Sequence, residues 1–357
     1  MPRFRDDLDA IPTYDPGPPT AEIAAKLGVE SIIELAANEC PADPFPEVVE
    51  VIAATAASIN RYPLSDSTYL LEALAAHYDL THDRFWVGPG STGILTAIAL
   101  AASGPGSSVV FGDPSFVVYR MAVLLAGAEP IAVPLDSEWR LDPDAMLSAI
   151  RPDTRVLYFC NPNNPTGTHR SSSAVAQLVE AVPDSVTLVV DEAYAEYATA
   201  PDYASAIPLT LERDNVIVSR TFSKVYGLAG ARVGYALGDP ATLRSLRRPQ
   251  FPYATGTLSQ VAAIEALRHQ DRVRERVAAN SVGRTFLADG LRRLNQFAID
   301  SQTNFVLWKP TRDPAALGAE LLERGIMVRP MGPWIRVTVG SEAENQALID
   351  TVAQLVE

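Results

Sequence analysis

The stretch from Asn215 to Leu237, NVIVSRTFSKVYGLAGARVGYAL, contains two apolar runs with a lysine between them. The runs, Asn215–Ser219 and Arg232–Leu237, are short and rich in β-branched residues, so each is predicted to be a β-strand. Lys224 lies in the segment that joins them. The stretch therefore predicts a strand, a loop that carries Lys224, and a second strand.

Similar apolar runs precede this stretch, at Arg84–Val87, Ser107–Phe111, Pro130–Val133, Arg155–Phe159 and Val186–Val190. Segments with helical patterns alternate with them, at Ser67–Tyr78, Thr92–Ala102, Phe116–Ala126 and Ser171–Ala181. Alternating strands and helices are typical of α/β proteins. We therefore expect a mainly parallel seven-stranded sheet with helices on both of its faces.

The chain is predicted to have three parts. Residues 1–28 are rich in proline and aspartate and are expected to form an N-terminal arm, followed by a large domain over residues 29–245. Residues 246–357 are expected to form a smaller α+β domain. Its predicted elements are a long helical region from Leu258 to about Leu294, strands near Asn304–Trp308 and Ile335–Val339, and helices at Pro314–Glu323 and Glu342–Val356.

Composition limits the classes of function. The 357 residues carry a formal net charge of −14, which argues against binding to nucleic acids and to anionic membranes. The first residues lack the apolar core of a signal peptide and no later run is long enough to span a bilayer, so a cytoplasmic protein is expected. The two cysteines and four histidines have no metal-binding spacing, so no metal site is expected.

Lys224 has neighbours that suit a particular chemistry. Thr221 and Ser223 supply hydroxyl groups beside it, and Arg232 supplies a guanidinium, which together suit a phosphate. A partly desolvated lysine has a lowered pKa and forms a Schiff base readily. Pyridoxal 5'-phosphate (PLP) is a phosphate-bearing aldehyde that binds in this way. Taken alone, however, Lys224 could equally be a surface lysine in a loop.

Two further motifs follow predicted strands. Arg155–Phe159 runs into Asn161–Gly167, NPNNPTG, and Val186–Val190 runs into Asp191–Tyr194, DEAY. Each motif has a structural alternative, since the first has the residues of a turn and Asp191 could cap a helix. Ligands of open α/β sheets bind at the carboxyl ends of the strands. Convergence of these motifs with Lys224 at one edge therefore favours a functional site.

A glycine-rich segment, Gly88–Gly93 (GPGSTG), matches the pattern G-x-G-x-x-G, and Asp113 lies 20 residues beyond Gly93. This is the outline of a dinucleotide-binding fingerprint, which leaves an NAD-dependent enzyme as one interpretation. The same geometry presents backbone N–H groups at a helix N-terminus to a single phosphate. A turn without a ligand is the third interpretation.

With these motifs established, the chain resembles fold-type I PLP-dependent aminotransferases of class I/II. The segments NPNNPTG, DEAY and Thr221–Arg232 occur in the order typical of that family, and the resemblance runs from about Tyr14 to the C-terminus. The most similar subfamily comprises histidinol-phosphate aminotransferases and aromatic amino acid aminotransferases. The resemblance implies the PLP-transferase type I fold, transamination with PLP as cofactor, and a homodimer with shared active sites.

The resemblance implies roles for individual residues around the cofactor. Lys224 matches the lysine that forms the Schiff base and moves the proton at the substrate Cα, and Asp191 matches the carboxylate that pairs with the pyridine nitrogen. Asn164 and Tyr194 match the groups that contact the ring's O3' oxygen. Phe116 matches the aromatic residue that stacks on the ring. The residues that match phosphate ligands are Ser91, Thr92, Thr221, Ser223 and Arg232, and Tyr62 for the phosphate of the neighbouring subunit.

The resemblance also implies substrate-binding residues. Arg336 matches the arginine that binds the substrate α-carboxylate, for which a guanidinium has the better geometry, and Asn38 matches a residue of the same region. Residues that fit the histidinol-phosphate pattern are Tyr14, Tyr253 and Arg329. Phe116 departs from that pattern because the hydroxyl is missing, and Thr92-Gly93 departs from the usual pair. The sequence therefore leaves histidinol phosphate and an aromatic amino acid (phenylalanine or tyrosine) both open, with glutamate and 2-oxoglutarate as partner.

Other classes of protein remain as alternatives at this point. A PLP-dependent decarboxylase or lyase has the same fold and breaks a different bond at Cα, and binding of the carboxylate by Arg336 argues against its loss. A non-catalytic PLP-binding regulator is disfavoured, because the sequence has neither a DNA-binding domain nor a basic face.

Overall fold

The computed structural model describes residues 8–13 and 19–356. The strands in these residues are β1 (Ile33–Glu34), β2 (Phe85–Gly88), β3 (Ser108–Asp113), β4 (Glu129–Pro134), β5 (Thr154–Cys160), β6 (Thr187–Asp191), β7 (Val216–Thr221), β8 (Gly234–Leu237), β9 (Phe297–Ala298), β10 (Phe305–Lys309), β11 (Ile326–Met327), β12 (Arg329–Met331) and β13 (Trp334–Thr338). The α-helices are α1 (Thr20–Leu27), α2 (Pro46–Thr55), α3 (Thr68–Tyr78), α4 (Gly90–Ala102), α5 (Val118–Ala126), α6 (Pro143–Ser148), α7 (Ser172–Ala181), α8 (Pro240–Leu246), α9 (Thr257–Leu267), α10 (Gln270–Arg293), α11 (Pro314–Glu323) and α12 (Glu342–Val356).

The predicted α/β fold with a mainly parallel sheet is confirmed. Seven strands form one sheet in the order β2-β8-β7-β6-β5-β3-β4. The strands β3 to β7 pair in parallel, whereas β8 runs antiparallel to both of its neighbours. Each predicted strand lies within two residues of an observed one. The carboxyl ends of the parallel strands therefore lie along one edge of the sheet. The N-terminus of the antiparallel β8 lies at the same edge.

Burial explains why the central strands are continuously apolar. Leu188, Val189 and Val190 in β6 are fully buried, although successive side chains of a strand point to opposite faces. Both faces of the sheet are thus covered, as is typical of parallel sheets. Polar side chains for a site can therefore leave this sheet only near its edges.

A second hydrophobic core surrounds the sheet β12-β13-β10-β9. Leu317 and Leu321 of α11 and Leu348 of α12 are fully buried there. Leu35 belongs to this core too, since β1 pairs in parallel with β11. The structure also divides the predicted helical region Leu258–Leu294 in two, because α9 packs in the first core whereas α10 reaches the second. The division into a large domain (residues 29–245) and a small domain (residues 246–357) stays a prediction. The two hydrophobic cores do not follow this boundary, since α9 packs in the first core and Leu35 in the second.

The start of α4 lies against β8 with very little space between them. A Cβ atom on Gly234 would lie 2.6 Å from the amide nitrogen of Ser91 and 2.8 Å from the carbonyl carbon of Gly90. Gly90 itself has φ +74°, and a Cβ there would lie 2.7 Å from the guanidinium of Arg232. Glycine at both positions therefore lets the helix N-terminus and Arg232 approach each other.

Across residues 8–13 and 19–356, no helix combines the length and the apolar character needed to cross a membrane.

We expect Gly234→Ala to lower the free energy of unfolding by about 1–3 kcal/mol, because the added methyl group meets backbone atoms that cannot move aside. Urea unfolding followed by circular dichroism measures this as a lower midpoint. Gly230→Ala is the matched control, since a Cβ at Gly230 has no neighbour within 4 Å. Equal midpoints for the two variants would contradict the packing argument.

Candidate active site

The carboxyl ends of the parallel strands open into a cavity of about 790 Å³. A cavity of this size suits a small-molecule site, for which roughly 300–1,000 Å³ is usual. The structure brings thirteen of the residues singled out from the sequence into its wall, namely Asn38, Ser91, Thr92, Phe116, Asn164, Asp191, Tyr194, Thr221, Ser223, Lys224, Arg232, Arg329 and Arg336.

Lys224 extends into the cavity from the loop after β7. Its Nζ donates a hydrogen bond to the carbonyl oxygen of Asn38 at 3.0 Å and lies 5.7 Å from the ring centroid of Tyr194. Burial, and then the charge of the Arg336 guanidinium, lower the pKa of Lys224 to about 8. An appreciable fraction of the amine is therefore neutral near physiological pH, which a nucleophile or a base requires.

Asp191 ends β6 and is 2% exposed. Its Oδ2 accepts a hydrogen bond from the hydroxyl of Tyr119 at 2.7 Å, whereas Oδ1 is buried without a partner in the described part of the chain. Burial raises the pKa of Asp191 to about 6, against the opposing effect of the Tyr119 hydrogen bond. A buried carboxylate oxygen without a partner is costly unless a cation or donor binds there. Oδ1 is thus the acceptor that a protonated nitrogen of a ligand would satisfy.

Tyr119 is a site residue that the sequence did not reveal. It lies in α5, is fully buried, and stacks on Tyr158 with ring centroids 4.8 Å apart. Burial and the adjacent Asp191 raise its pKa, so the phenol stays protonated and can only donate to that carboxylate. Phe116 packs edge-on against Tyr119 at 5.8 Å, which fixes the side of the cavity where its ring lies.

The candidate phosphate ligands surround the N-terminus of α4. Thr221 Oγ1 donates a hydrogen bond to Ser223 Oγ at 2.9 Å, and Arg232 Nη1 donates to Ser223 Oγ at 3.4 Å. Ser91 and Thr92 belong to the first turn of α4, whose backbone N–H groups attract anions. These five residues form an anion site from hydroxyls, a guanidinium and a helix N-terminus.

The same segment bears on the dinucleotide interpretation. Gly88–Gly93 follows β2, which among residues 8–13 and 19–356 is an edge strand whose one partner is the antiparallel β8. A dinucleotide binds in a crevice between parallel strands, at a point where the strand order reverses. The observed pairing therefore favours a single phosphate at this helix.

Arg336 enters the cavity from the second core. Its Nη1 donates to Asn164 Oδ1 at 2.7 Å, and its Nη2 donates to the carbonyl oxygen of Ala36 at 3.0 Å. Its cross-strand neighbours are Leu307 and Arg329, and directly paired residues share one face of a sheet. Arg336 and Arg329 thus present two guanidinium groups to the same cavity.

Asn38 joins several parts of the site. Its Nδ2 donates to the hydroxyl of Tyr194 at 3.0 Å, and its backbone nitrogen donates to Thr338 Oγ1 at 2.9 Å. Burial raises the pKa of Tyr194 to about 12, so this phenol is neutral at physiological pH. Asn38 has φ 55°, a left-handed conformation that asparagine tolerates better than most residues. The amide therefore has a structural reason to be asparagine as well as a place in the site.

Two further candidates, Tyr62 and Tyr253, do not line this cavity. Tyr62 is 80% exposed and stacks on Tyr253, with ring centroids 4.5 Å apart. Neither ring reaches the cavity of its own chain, so a contact of Tyr253 with substrate in the same subunit is not supported. Tyr14 lies outside the described residues.

Two tryptophans in the cavity wall also went unnoticed in the sequence. Trp139 and Trp334 meet edge to face, with ring centroids 4.7 Å apart. Trp334 could have been found, because it lies two residues before Arg336 in a strand and therefore shares its face. Trp139 lies in a loop, and no local pattern points to it.

No group of three or more His, Cys, Asp or Glu side chains that could hold a metal ion occurs in the described ranges.

Comparison with known proteins places this geometry in a family. The profile of the family described as "Aminotransferase class I and II" matches residues 30–352. The chain is 36% identical to a histidinol-phosphate aminotransferase of Moorella thermoacetica, over 100% of this chain and 94% of that protein. It is 37% identical to an aromatic amino acid aminotransferase of Rhodococcus jostii, over 98% and 94%.

A solved structure gives the same result. The crystal structure of histidinol-phosphate aminotransferase from Sinorhizobium meliloti in complex with pyridoxal-5'-phosphate superposes with a TM-score of 0.91 at 27% identity, covering 100% of this chain and 98% of that one. Fold, motif order and sequence similarity agree over nearly the whole chain. The chain therefore belongs to the class I and II aminotransferases, and its activity is transamination.

Proposed function

We propose that the cavity binds PLP and that the chain transfers amino groups between an aromatic amino acid and 2-oxoglutarate. Support for PLP comes from the donor set itself. The unpartnered Oδ1 of Asp191 suits a protonated pyridine nitrogen, the anion site at α4 suits a phosphate, and Lys224 suits an aldehyde. Bound PLP would supply an electron sink for the bond broken at the substrate Cα.

The residues of the chain would divide the remaining work. Asp191 would keep the pyridine nitrogen protonated, because an adjacent anion stabilises the charged form of a base. Phe116 would cover the ring, and Asn164 and Tyr194 would donate to its O3' side. Lys224, with its pKa lowered to about 8, would accept and return the proton at the substrate Cα.

Arg336 would bind the substrate carboxylate. Its guanidinium is already positioned by Asn164 and Ala36, so little side-chain freedom is lost when a substrate binds. Two charge-assisted hydrogen bonds from a guanidinium would stabilise the carboxylate's negative charge, and loss of carbon dioxide would forfeit that stabilisation. This supports transamination over decarboxylation.

The observation that carries the choice of substrate is the apolar wall beside Arg336. Trp139, Trp334, Leu307 and Met331 line the cavity there. Edge-to-face and stacked contacts with such a wall favour an aromatic side chain. Histidinol phosphate remains the second candidate, because Arg329 presents a guanidinium beside Arg336 that could bind its phosphate.

We also propose a homodimer in which Tyr62 contacts the phosphate of the partner subunit. Tyr62, Phe251, Tyr69 and Ile59 are 80%, 83%, 65% and 60% exposed. Tyr62 stacks on Tyr253, two residues from Phe251, and exposed apolar side chains of this kind favour a protein–protein interface. The cytoplasmic location expected from the sequence stays a prediction.

We expect PLP uptake to become faster as the pH rises to about 8 and then to level off, because the neutral amine of Lys224 is the reactive form. Below that pKa the ammonium, which has no lone pair, predominates. Visible absorption after addition of PLP measures the rate.

Borohydride should fix the cofactor on Lys224, as mass spectrometry of the digested protein detects. Lys224→Ala should abolish this product, whereas Lys309→Ala, at an exposed position, should not. A colourless protein that binds NADH would contradict the PLP proposal.

Arg329→Ala should separate the two candidate substrates. With histidinol phosphate as substrate, kcat/KM should fall about 10- to 100-fold, since a hydrogen bond to a charged group contributes roughly 1.5–3 kcal/mol. With phenylalanine it should change little. Arg336→Ala should lower kcat/KM for phenylalanine, whose carboxylate Arg336 would bind. The half-reaction of each amino donor, followed by the absorbance of the cofactor, provides the rates. Faster reaction of wild-type protein with histidinol phosphate would reverse the choice, and equal losses in Arg329→Ala would rule out a phosphate role.

Mixed dimers test the shared site. Lys224→Ala removes the lysine of a subunit's own site, whereas Tyr62→Phe removes the hydroxyl that a subunit would supply to its partner's site. A mixed dimer of the two variants should therefore contain one site in which both residues are intact. Activity at limiting PLP should then exceed the mean of the unmixed variants. Sedimentation velocity checks that the protein is a dimer. A monomer, or no gain upon mixing, would sink the proposal.

A further inference from the structure

A second cavity, of about 860 Å³, lies beside the active-site cavity. Residues in its wall include Arg140, His169 and Phe297. Of the residues that the structure describes, Trp139 alone lines both cavities. Its indole meets Trp334, and Trp334 in turn lies 6.0 Å from the ring of Phe297 in the second cavity. The indole pair therefore stands between the two spaces.

The loop that carries Trp139 is held in place firmly. The carboxylate of Asp136 accepts hydrogen bonds from the backbone nitrogens of Glu138 and Arg140, at 2.8 and 2.9 Å, and from Arg170 Nη2 at 2.8 Å. Thr168 Oγ1 donates to the carbonyl oxygen of Trp139 at 2.7 Å. The backbone around Trp139 is thus held on both sides, and its indole packs edge-on against Trp334.

Trp139 adopts a backbone conformation that a bulky residue rarely occupies. Its φ is +62°, in the left-handed region where glycine and asparagine are usual. Residues persist in such conformations only where the surrounding structure enforces them, and they cluster at functional sites. Glycine would adopt this backbone conformation with less strain than tryptophan does. The strain at Trp139 therefore indicates that the indole side chain has a role.

The spacing between Arg336 and Trp334 on β13 limits how far a bound substrate can extend before it reaches the two tryptophans. Trp334 precedes Arg336 by two residues on β13, so the two side chains leave the same face about 7 Å apart. A substrate whose carboxylate is bound by Arg336 would therefore direct its side chain along this face towards the tryptophan pair. On this geometry a single ring would end against the indoles, and a second ring in line would have to pass through them.

We propose that Trp139, packed on Trp334, sets the maximum length of the substrate side chain by closing the active site off from the second cavity. The proposal rests on the proposed function for the position of the carboxylate. Amino acids with one ring are accepted, and amino acids with two rings in line are excluded. Without the indole of Trp139, the second cavity becomes the continuation of the side-chain pocket.

Trp139→Gly is the informative variant, since glycine suits the positive φ and the loop keeps its hydrogen bonds. We compare the binding of 3-(biphenyl-4-yl)propanoate and 3-phenylpropanoate, which have the carboxylate but no amino group, by calorimetry of the cofactor-loaded protein. The affinity ratio should shift towards the biphenyl compound by roughly tenfold, as expected when a steric limit is removed and the second ring can contact Phe297, Ala298 and Ile299 of the second cavity. The kcat/KM ratio for 4-phenylphenylalanine against phenylalanine should shift in the same direction.

Trp139→Asn, a small side chain that also tolerates positive φ, should give the same shift if the glycine variant does not fold. His169→Ala is the control, because His169 lines only the second cavity and should leave both ratios unchanged. An unchanged affinity ratio in a folded Trp139 variant overturns the proposal. If wild-type protein binds 3-phenylpropanoate but does not transaminate phenylalanine, the proposed substrate fails, while the affinity ratio still decides the role of Trp139.

Discussion

Burial of the large sheet on both faces is the constraint from which the position of the site follows. Leu188, Val189 and Val190 leave no room for a polar group on either side of β6, so Asp191 can appear only where the strand ends. β7 is apolar up to Val218 and polar in its last three residues, Ser219 to Thr221, and Asn161 follows β5 directly. Because these strands are parallel neighbours, their polar ends meet at one edge.

Asp191 and Glu192 show how adjacent acids acquire different roles. Glu192 accepts hydrogen bonds from Arg220 at 2.7 and 2.9 Å, and Arg220 also contacts Glu196 at 3.0 Å. The two carboxylates share one guanidinium, and Glu192 also accepts hydrogen bonds from Ser205 Oγ and the backbone nitrogen of Ala206. Loss of one partner from such a buried pair costs roughly 3–5 kcal/mol. Asp191 lies outside this network, and its Oδ2 accepts a hydrogen bond from the neutral phenol of Tyr119. Its second oxygen therefore stays available to a ligand.

The large sheet and most of the site could be predicted because their signals are local. Apolar runs marked the strands, and motifs directly after them marked Asn164, Asp191 and Lys224. The break between α9 and α10 depends on which core each helix joins, and pairing of β1 with β11 joins residues far apart in the chain. Trp139 could not be predicted either, because its role depends on a contact with Trp334, which is distant in the sequence.

The backbone of Asn38 connects the second hydrophobic core to Lys224. Its chain segment follows Leu35 in the second core and is bonded to Thr338 there, while its carbonyl oxygen accepts from Lys224 of the first core. A rotation of one core against the other would stretch or shorten the contact with the reactive amine. The position of the reactive amine therefore depends, through a single peptide group, on how the two cores pack against each other.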